Sequence, residues 1–143
     1  MNVLVDTPVW SLALRRKARD RNKLELTLVQ RLAGLVGHGQ AQMIGPVRQE
    51  LLSGIREEAQ FLRLREALRL YDDIPIETAD YEEAARMSNE CRRGGIAGSS
   101  IDFLLCAVAN RRRWRLFTTD DDFKRYARIL SDLELLPIDE SRG

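Results

Sequence analysis

The chain of 143 residues has the length of one domain, and its apolar fraction of 44% excludes wholesale disorder. No apolar run approaches the roughly 18 residues that a membrane helix needs, and the first residues lack the basic region and cleavage site of a secretory signal. Two cysteines without CxxC spacing and one histidine argue against zinc and for a reducing compartment, so we expect a cytoplasmic protein without membrane association. The net charge of +1 conceals basic clusters at 15–23 and 111–115.

Short apolar runs alternate with helical stretches along the sequence. Strands or extended segments are predicted at 3–5, 42–44, 74–76, 115–118 and 135–138. Helices are predicted at 9–17, 22–36, 46–55, 58–71 and 101–110, with a further helix from Thr78 and a short helix or turn at 123–127. This alternation implies parallel pairing with right-handed crossovers. We therefore predict one α/β domain over 1–143, a three-layer α/β/α sandwich around a mainly parallel sheet of four to five short strands.

Four acidic residues occupy unusual places in this pattern. Asp6 and Asp120 directly follow predicted strands, and the carboxyl ends of strands form the ligand-binding edge of an open parallel sheet. Asp102 opens the most apolar helix, and Glu50 lies close to the core side of another. Each has a simpler interpretation when taken alone: Asp6 as a helix cap, Asp102 as a first-turn acid, and the other two as surface residues. Together, they can converge on one edge of the sheet.

Such a convergence of carboxylates predicts a metal site. Carboxylates held within a few ångströms of one another repel, and their pKa values rise unless a cation neutralises them. Because no usable cysteine or histidine set accompanies the acids, the oxygen donors favour Mg²⁺ or Mn²⁺ over zinc. The usual chemistry of such a site is to bind a phosphate ester and to activate water against it.

The sequence resembles the PIN-domain ribonucleases, and within them the VapC-type toxins of prokaryotic toxin–antitoxin pairs. The run VLVDTPVW at 3–10 resembles the family's strand that ends in Asp followed by Thr-Ser-Val-Trp, and ELLSG at 50–54 resembles its Glu-x-x-x-Gly helix. The run IDFLLCAVA at 101–109 resembles its Asp-bearing helix, and LFTTDDDF at 116–123 resembles its strand ending in Thr-x-Asp-x-Asp-Phe. These motifs occur in order over nearly the whole chain.

The resemblance implies a role for individual residues. The implied catalytic acids are Asp6, Glu50, Asp102 and Asp120. The implied metal ligands are Asp6, Asp102, Asp120 and Asp122. Asp121 matches a variable position of the last motif, whereas Thr118 would orient the carboxylates. Pro8 replaces the hydroxyl residue that the family usually has there, so the contact of that hydroxyl is either lost or supplied by Thr7.

The resemblance also implies an activity and partners. The activity is Mg²⁺-dependent or Mn²⁺-dependent hydrolysis of RNA that leaves a 5′-phosphate and a 3′-hydroxyl, with Glu50 taking or relaying a proton. The basic residues that we expect to contact the RNA backbone are Arg15, Arg16, Lys17, Arg111, Arg112 and Arg113. The expected assembly is a homodimer whose acidic site is covered by the C-terminal segment of a small antitoxin, in a groove formed by helices 9–17 and 22–36.

Two other functions fit parts of the sequence. A PIN-like module could bind RNA or a protein without cutting, with a structural metal, although the complete set of four acids argues against it. A Mg²⁺-dependent phosphotransfer enzyme could use Asp6 as its nucleophile, but it would need a lysine near a late strand end, where Lys124 is the single nearby lysine.

Overall fold

A parallel sheet of three strands lies at the centre of the structure. The computed structural model describes residues 1–15 and 17–138. The strands are β1 (Val3–Val5), β2 (Ala41–Gln42) and β3 (Arg115–Phe117), in the order β2-β1-β3. The central strand is buried along its whole length, which suits its Val-Leu-Val sequence because a strand of a parallel sheet is covered on both faces.

The sheet is smaller than the four to five strands that the sequence predicted. The segments predicted at 74–76 and 135–138 form only isolated parallel bridges. The Ile74 N–H donates to the Met43 carbonyl at 2.8 Å, and the Leu136 N–H donates to the Leu116 carbonyl at 2.8 Å. The next residue, Pro75 or Pro137, lacks an N–H on the side that faces away from this neighbour, so each segment can only lie at an outer edge.

Helices flank the sheet and establish the predicted α/β class with its parallel pairing. The described residues form α1 (Thr7–Leu14), α2 (Lys23–Gly37), α3 (Gly45–Leu52), α4 (Glu58–Leu68), α5 (Thr78–Arg93), α6 (Ser100–Arg112) and α7 (Asp122–Ile129), with a 3-10 turn at Ala18–Asp20. The first helix begins two residues earlier than predicted, because Asp6 caps it and Pro8 fits its first turn. In the described part of the chain, no helix combines the length and the apolar character needed to cross a membrane.

The position of α6 determines where one end of the candidate site lies. Ser99 caps this helix by accepting a hydrogen bond from the Asp102 N–H at 3.1 Å. Every residue from Phe103 to Ala109 is buried, and the helix packs against β1, β3 and α5. Burial of a seven-residue apolar run anchors the helix strongly, so Asp102 is held at a fixed height beside the sheet edge.

Candidate metal centre

Asp6 and Thr118 lie together at the carboxyl ends of β1 and β3. The Asp6 N–H continues the strand pairing by donating to the Phe117 carbonyl at 2.9 Å. The Asp6 side chain is 6% exposed, and both of its oxygens accept hydrogen bonds. Oδ1 accepts from the Thr7 N–H at 2.8 Å, and Oδ2 accepts from the Thr118 hydroxyl at 2.8 Å. Asp6 is therefore both the cap of α1 and a part of the acidic site, so its two interpretations hold together.

The loop after β3 is organised by the same threonine. The Asp120 N–H donates to Thr118 Oγ1 at 3.0 Å, and the Asp122 N–H donates to Asp120 Oδ1 at 2.9 Å. Thr118 is 7% exposed, so its hydroxyl has no freedom to rotate toward solvent. One buried hydroxyl thus connects Asp6 at the end of β1 to the acidic loop at the end of β3.

Three carboxylates form the tightest cluster of the site. One oxygen each from Asp102, Asp120 and Asp122 lies within 4.8 Å of the others. Asp102 comes from the first turn of α6, and its Oδ2 accepts a hydrogen bond from the Tyr126 hydroxyl at 2.6 Å. Asp122 opens α7 and forms an ion pair with Arg125. The structure therefore brings together three of the four residues predicted as ligands, and Asp6 joins them through Thr118.

Electrostatics near Asp6 show how strongly negative this edge is. Burial raises the pKa of Asp6 to about 6, against the lowering effect of its bonds from Thr118 and the Thr7 N–H. The negative charges of Asp102 and Glu50 raise it further, so both acids act on Asp6. Glu50 itself is exposed on α3 and lines a cleft of about 330 Å³ together with Thr7.

The donor set fits a hard divalent cation. All of the clustered groups are carboxylate oxygens, which Mg²⁺ and Mn²⁺ prefer, and a cation would offset their mutual repulsion. Thr7 Oγ1 is buried, and among the described residues it has no hydrogen-bond partner. A polar atom left in this state needs an ion or a water to satisfy it, so its position beside Asp6 agrees with a cation site.

The basic cluster at 111–113 lies away from these acids. Asp80, which is 0% exposed, accepts hydrogen bonds from Arg111 at 2.7 Å and from Arg112 at 2.8 and 3.0 Å. Burial would raise the pKa of Asp80, but the bonds from Arg112, the Glu77 N–H and Arg111 hold it well below its usual range. Asp102 and Arg111 stand nine residues apart on α6, roughly 13 Å along the axis. This geometry gives Arg111 and Arg112 a role in the fold, and their assignment as RNA contacts stays a prediction.

The other predicted RNA contacts differ in their surroundings. Arg113 is exposed and takes a left-handed conformation, with φ of 60°, at the end of α6. Arg16 lies outside the described residues, and Lys17 is exposed. Arg15 is exposed and lines two clefts, one between α1 and α2 and one beside α4. Arg15 is therefore the predicted basic residue whose setting the structure defines best.

Sequence reasoning missed one side chain that shapes the site and one that anchors the basic cluster at 111–113. Tyr126 follows Asp122 by one helical turn, so the i, i+4 spacing could have placed both on one face of α7. Asp80 gave no signal, because an acid in the first turn of a helix is ordinary. The lysine that the alternative phosphotransfer function would need is Lys124, and it forms an ion pair with Asp121 at 3.2 Å. Trp10 is buried and donates to the Val5 carbonyl at 3.2 Å, which makes it a core residue.

The structure is an α/β domain in which several carboxylates lie close together at the carboxyl edge of a parallel sheet. The PIN domain family model matches residues 3–129, and the chain belongs to this family. Members of the family are generally nucleases. Comparison with curated protein sequences returns no match.

Several solved structures share this fold. FitAcB from Neisseria gonorrhoeae matches with a TM-score of 0.74 at 18% identity, over 94% of this chain and 96% of that chain. VapBC2 from Rickettsia felis, bound to a DNA fragment from its promoter, matches with a TM-score of 0.73 at 17% identity, over 97% of this chain and 100% of that chain. VapBC-1 from nontypeable Haemophilus influenzae matches with a TM-score of 0.68 at 16% identity, over 95% and 97%. At these identities the likeness concerns the fold.

Proposed function

We propose that this PIN domain is a divalent-metal-dependent endoribonuclease that acts as the toxin of a VapC-type toxin–antitoxin pair. The observation that carries the proposal is the cluster of Asp102, Asp120 and Asp122 oxygens within 4.8 Å, next to the buried Asp6. Family membership supports a nuclease, and the fold shared with FitAcB and VapBC2 supports the toxin assignment.

The side chains of the site divide the work of phosphodiester hydrolysis. Asp102, Asp120 and Asp122 would hold Mg²⁺ or Mn²⁺, which when bound lowers the pKa of water and polarises a phosphate oxygen. Asp6 adds negative charge from beneath, and Thr118 keeps its carboxylate oriented. Glu50 is exposed beside its cleft and is the acid best placed to accept a proton from the attacking water. In-line attack would leave a 5′-phosphate and a 3′-hydroxyl.

The cleft beside α4 supplies a basic surface for the RNA backbone. Three arginines, Arg15, Arg56 and Arg63, line this cleft of about 550 Å³ against one acid, Glu57, and the rest of its lining is uncharged. Among the described residues, none of the three forms an ion pair, so their guanidinium groups are available to phosphates. We include Arg56 and Arg63 with Arg15 and Lys17 in the proposed RNA surface, and we leave out Arg111 and Arg112.

Neutralising this surface is expected to weaken RNA binding without affecting the metal centre. In Arg15→Gln/Arg63→Gln, the slope of log K against log salt concentration for single-stranded RNA should fall by about 0.7 for each phosphate that the two arginines neutralise in the wild type. Fluorescence anisotropy over a series of salt concentrations measures this slope. Arg69→Gln is the matched control, because Arg69 pairs with Glu66 at 3.2 Å at the end of α4 and lines neither cleft. An unchanged slope in the double variant would contradict the assignment.

Removing the hydroxyl that connects the two strand ends is expected to weaken metal binding. Thr118→Val deletes the donor to Asp6 and the acceptor of the Asp120 N–H, so the affinity for Mn²⁺ should fall about 10-fold to 100-fold. Isothermal titration calorimetry with Mn²⁺ measures the change. Thr118→Ser keeps the hydroxyl and should bind nearly as well as the wild type, whereas equal losses in both variants would point to packing instead.

The groove between α1 and α2 is the proposed seat of the antitoxin. A cleft of about 680 Å³ is lined by residues of both helices and by Thr119. A second cleft of about 670 Å³ shares Leu24, Leu28 and Thr119 with it and reaches Asp120. A peptide that follows this path would run from an apolar floor onto the acidic edge, where it could cover the site. The protein is proposed to form a homodimer as well, which a measurement of molar mass in solution tests.

Cleavage of cellular RNA is the direct test of the proposed function. Purified, antitoxin-free protein is incubated with total RNA in Mg²⁺, Mn²⁺ or EDTA, and the 5′ ends of the fragments are mapped. Discrete fragments that carry 5′-phosphates and require the metal are expected. RNA binding without fragments under every condition would favour a non-catalytic binding module.

A further inference from the structure

We propose that Tyr126 is a positioning residue whose hydroxyl holds the Asp102 carboxylate of α6 in register with Asp122 of α7, so that one divalent cation can bind both. This inference rests on the proposed metal centre and adds a residue that the acidic motifs do not contain. It is carried by the placement of the phenol, by the helix that bears it and by the glycine that faces it.

The phenol is fixed in place on all sides. Tyr126 is 0% exposed, and its hydroxyl donates to Asp102 Oδ2 at 2.6 Å. Its ring packs between Phe103 and Phe123, with centroid distances of 4.9 and 5.2 Å. Since a ring clamped in this way cannot swing, the hydroxyl defines one position for the carboxylate oxygen.

The hydrogen bond joins two elements that hold different ligands. Asp122 and Tyr126 are four residues apart on α7, so they share a face of that helix. Asp102 reaches the cluster from α6. A carboxylate can accept about four hydrogen bonds or ligand contacts, so one bond at Oδ2 locates that oxygen and leaves acceptor positions for an ion. Tyr126 thereby ties the distance between two ligands to the packing of two helices.

Gly98 makes room for this contact. A Cβ at Gly98 would lie 2.3 Å from the Tyr126 hydroxyl oxygen and 2.7 Å from Cζ. These distances are shorter than van der Waals contact, so any larger residue at this position would displace the phenol from Asp102. A phenylalanine would pack the same core without the hydroxyl, which means that the hydroxyl serves the carboxylate and not the packing.

The test measures Mn²⁺ affinity in a variant that keeps the ring. Free Mn²⁺ is followed by electron paramagnetic resonance during titration of purified full-length protein, at a temperature where urea curves in EDTA show every variant to be folded. Tyr126→Phe is expected to weaken Mn²⁺ binding about tenfold, which is the usual loss when a group that orients a ligand is removed. Tyr81→Phe, which alters an exposed tyrosine on α5, should bind like the wild type.

A second variant acts on the same hydrogen bond from the other side. Gly98→Ala should also weaken Mn²⁺ binding, and Tyr126→Phe/Gly98→Ala should lose no more affinity than the weaker-binding of the two single variants. Additive losses would contradict an action of Gly98 through the phenol. Wild-type affinity in folded Tyr126→Phe, with only a lower urea midpoint, would show a structural role and overturn the inference while leaving the proposed function intact. Absence of Mn²⁺ binding by the wild type would overturn both.

Discussion

The variant Asp102→Asn is expected to hydrolyse RNA at least about 100-fold more slowly than the wild type. Removing groups that only orient ligands costs 10-fold to 100-fold, and a residue of the ligand cluster itself should cost no less. Asparagine keeps the size of the side chain and the cap geometry of α6, so the fold should survive. The measurement is the initial rate of cleavage, in saturating Mg²⁺, of an RNA that the wild type cuts into discrete fragments.

Asp121 provides the matched control for this variant. It lies between the two clustered acids of the loop, yet its side chain is 88% exposed and pairs with Lys124 at 3.2 Å. Asp121→Asn removes the same charge from the loop beside the cluster and should retain nearly the full rate, because its side chain is not part of the cluster. Equal losses in Asp102→Asn and Asp121→Asn would indicate a general effect of charge and would contradict a defined metal centre.

The variant Asp80→Asn is expected to lose about 1.5–3 kcal/mol of folding stability, with little change in the properties of the folded protein at the acidic edge. The substitution leaves Arg111 and Arg112 facing a neutral amide at a site where Asp80 is fully buried. Both arginines keep Glu77 as an ion-pair partner, at 3.6 and 3.4 Å, so the loss is that of the charge-assisted hydrogen bonds to Asp80. Urea unfolding at pH 7 measures the loss, and Glu82→Gln, an exposed acid on the same helix, should change stability by no more than about 0.5 kcal/mol.

The stability difference between the wild type and Asp80→Asn should depend on pH. Because the folded state lowers the pKa of Asp80, the folded protein keeps this carboxylate ionised at pH values where the unfolded chain binds a proton. Its contribution is complete above the unfolded-state pKa of about 3.9 and declines as the pH falls below that value. Urea curves at pH 7, 5, 4 and 3 should therefore converge toward the acid end. A constant difference over this range would contradict the charged network.

The sequence predicted the parallel α/β class from local signals, and the structure confirms it. The run Val3–Val5 and the apolar stretch that became α6 are buried elements whose character depends on their own residues. The predicted number of strands was wrong, because the pairing of an extended segment depends on the segment that lies beside it. A sequence run can favour extension, but the segments at 74–76 and 135–138 form only single bridges once the neighbouring segments are in place.

The basic residues show why composition alone is a poor guide to a binding surface. Arg111 and Arg112 belong to the dense basic run at 111–115, yet the acid that pairs with both, Asp80, precedes them by 31 and 32 residues. Arg15 and Arg63 are far apart in sequence and line one cleft. The energy of a Coulomb interaction depends on the distance between two charges in space and not on their separation in sequence. Only the fold therefore shows which guanidinium groups already pair with an acid of the protein.

The sequence by itself determined the class of the fold and most of its elements, and it marked the acids that follow strand ends, because strand burial, helix capping and the polarity of a parallel sheet are local or topological properties. The tertiary structure alone decided which of those acids share a cluster, that Thr118 joins Asp6 to Asp120, and that Tyr126 reaches Asp102. The physical reason is that hydrogen bonds and metal coordination depend on distances of about 2–3 Å, and only the packing of distant segments sets them.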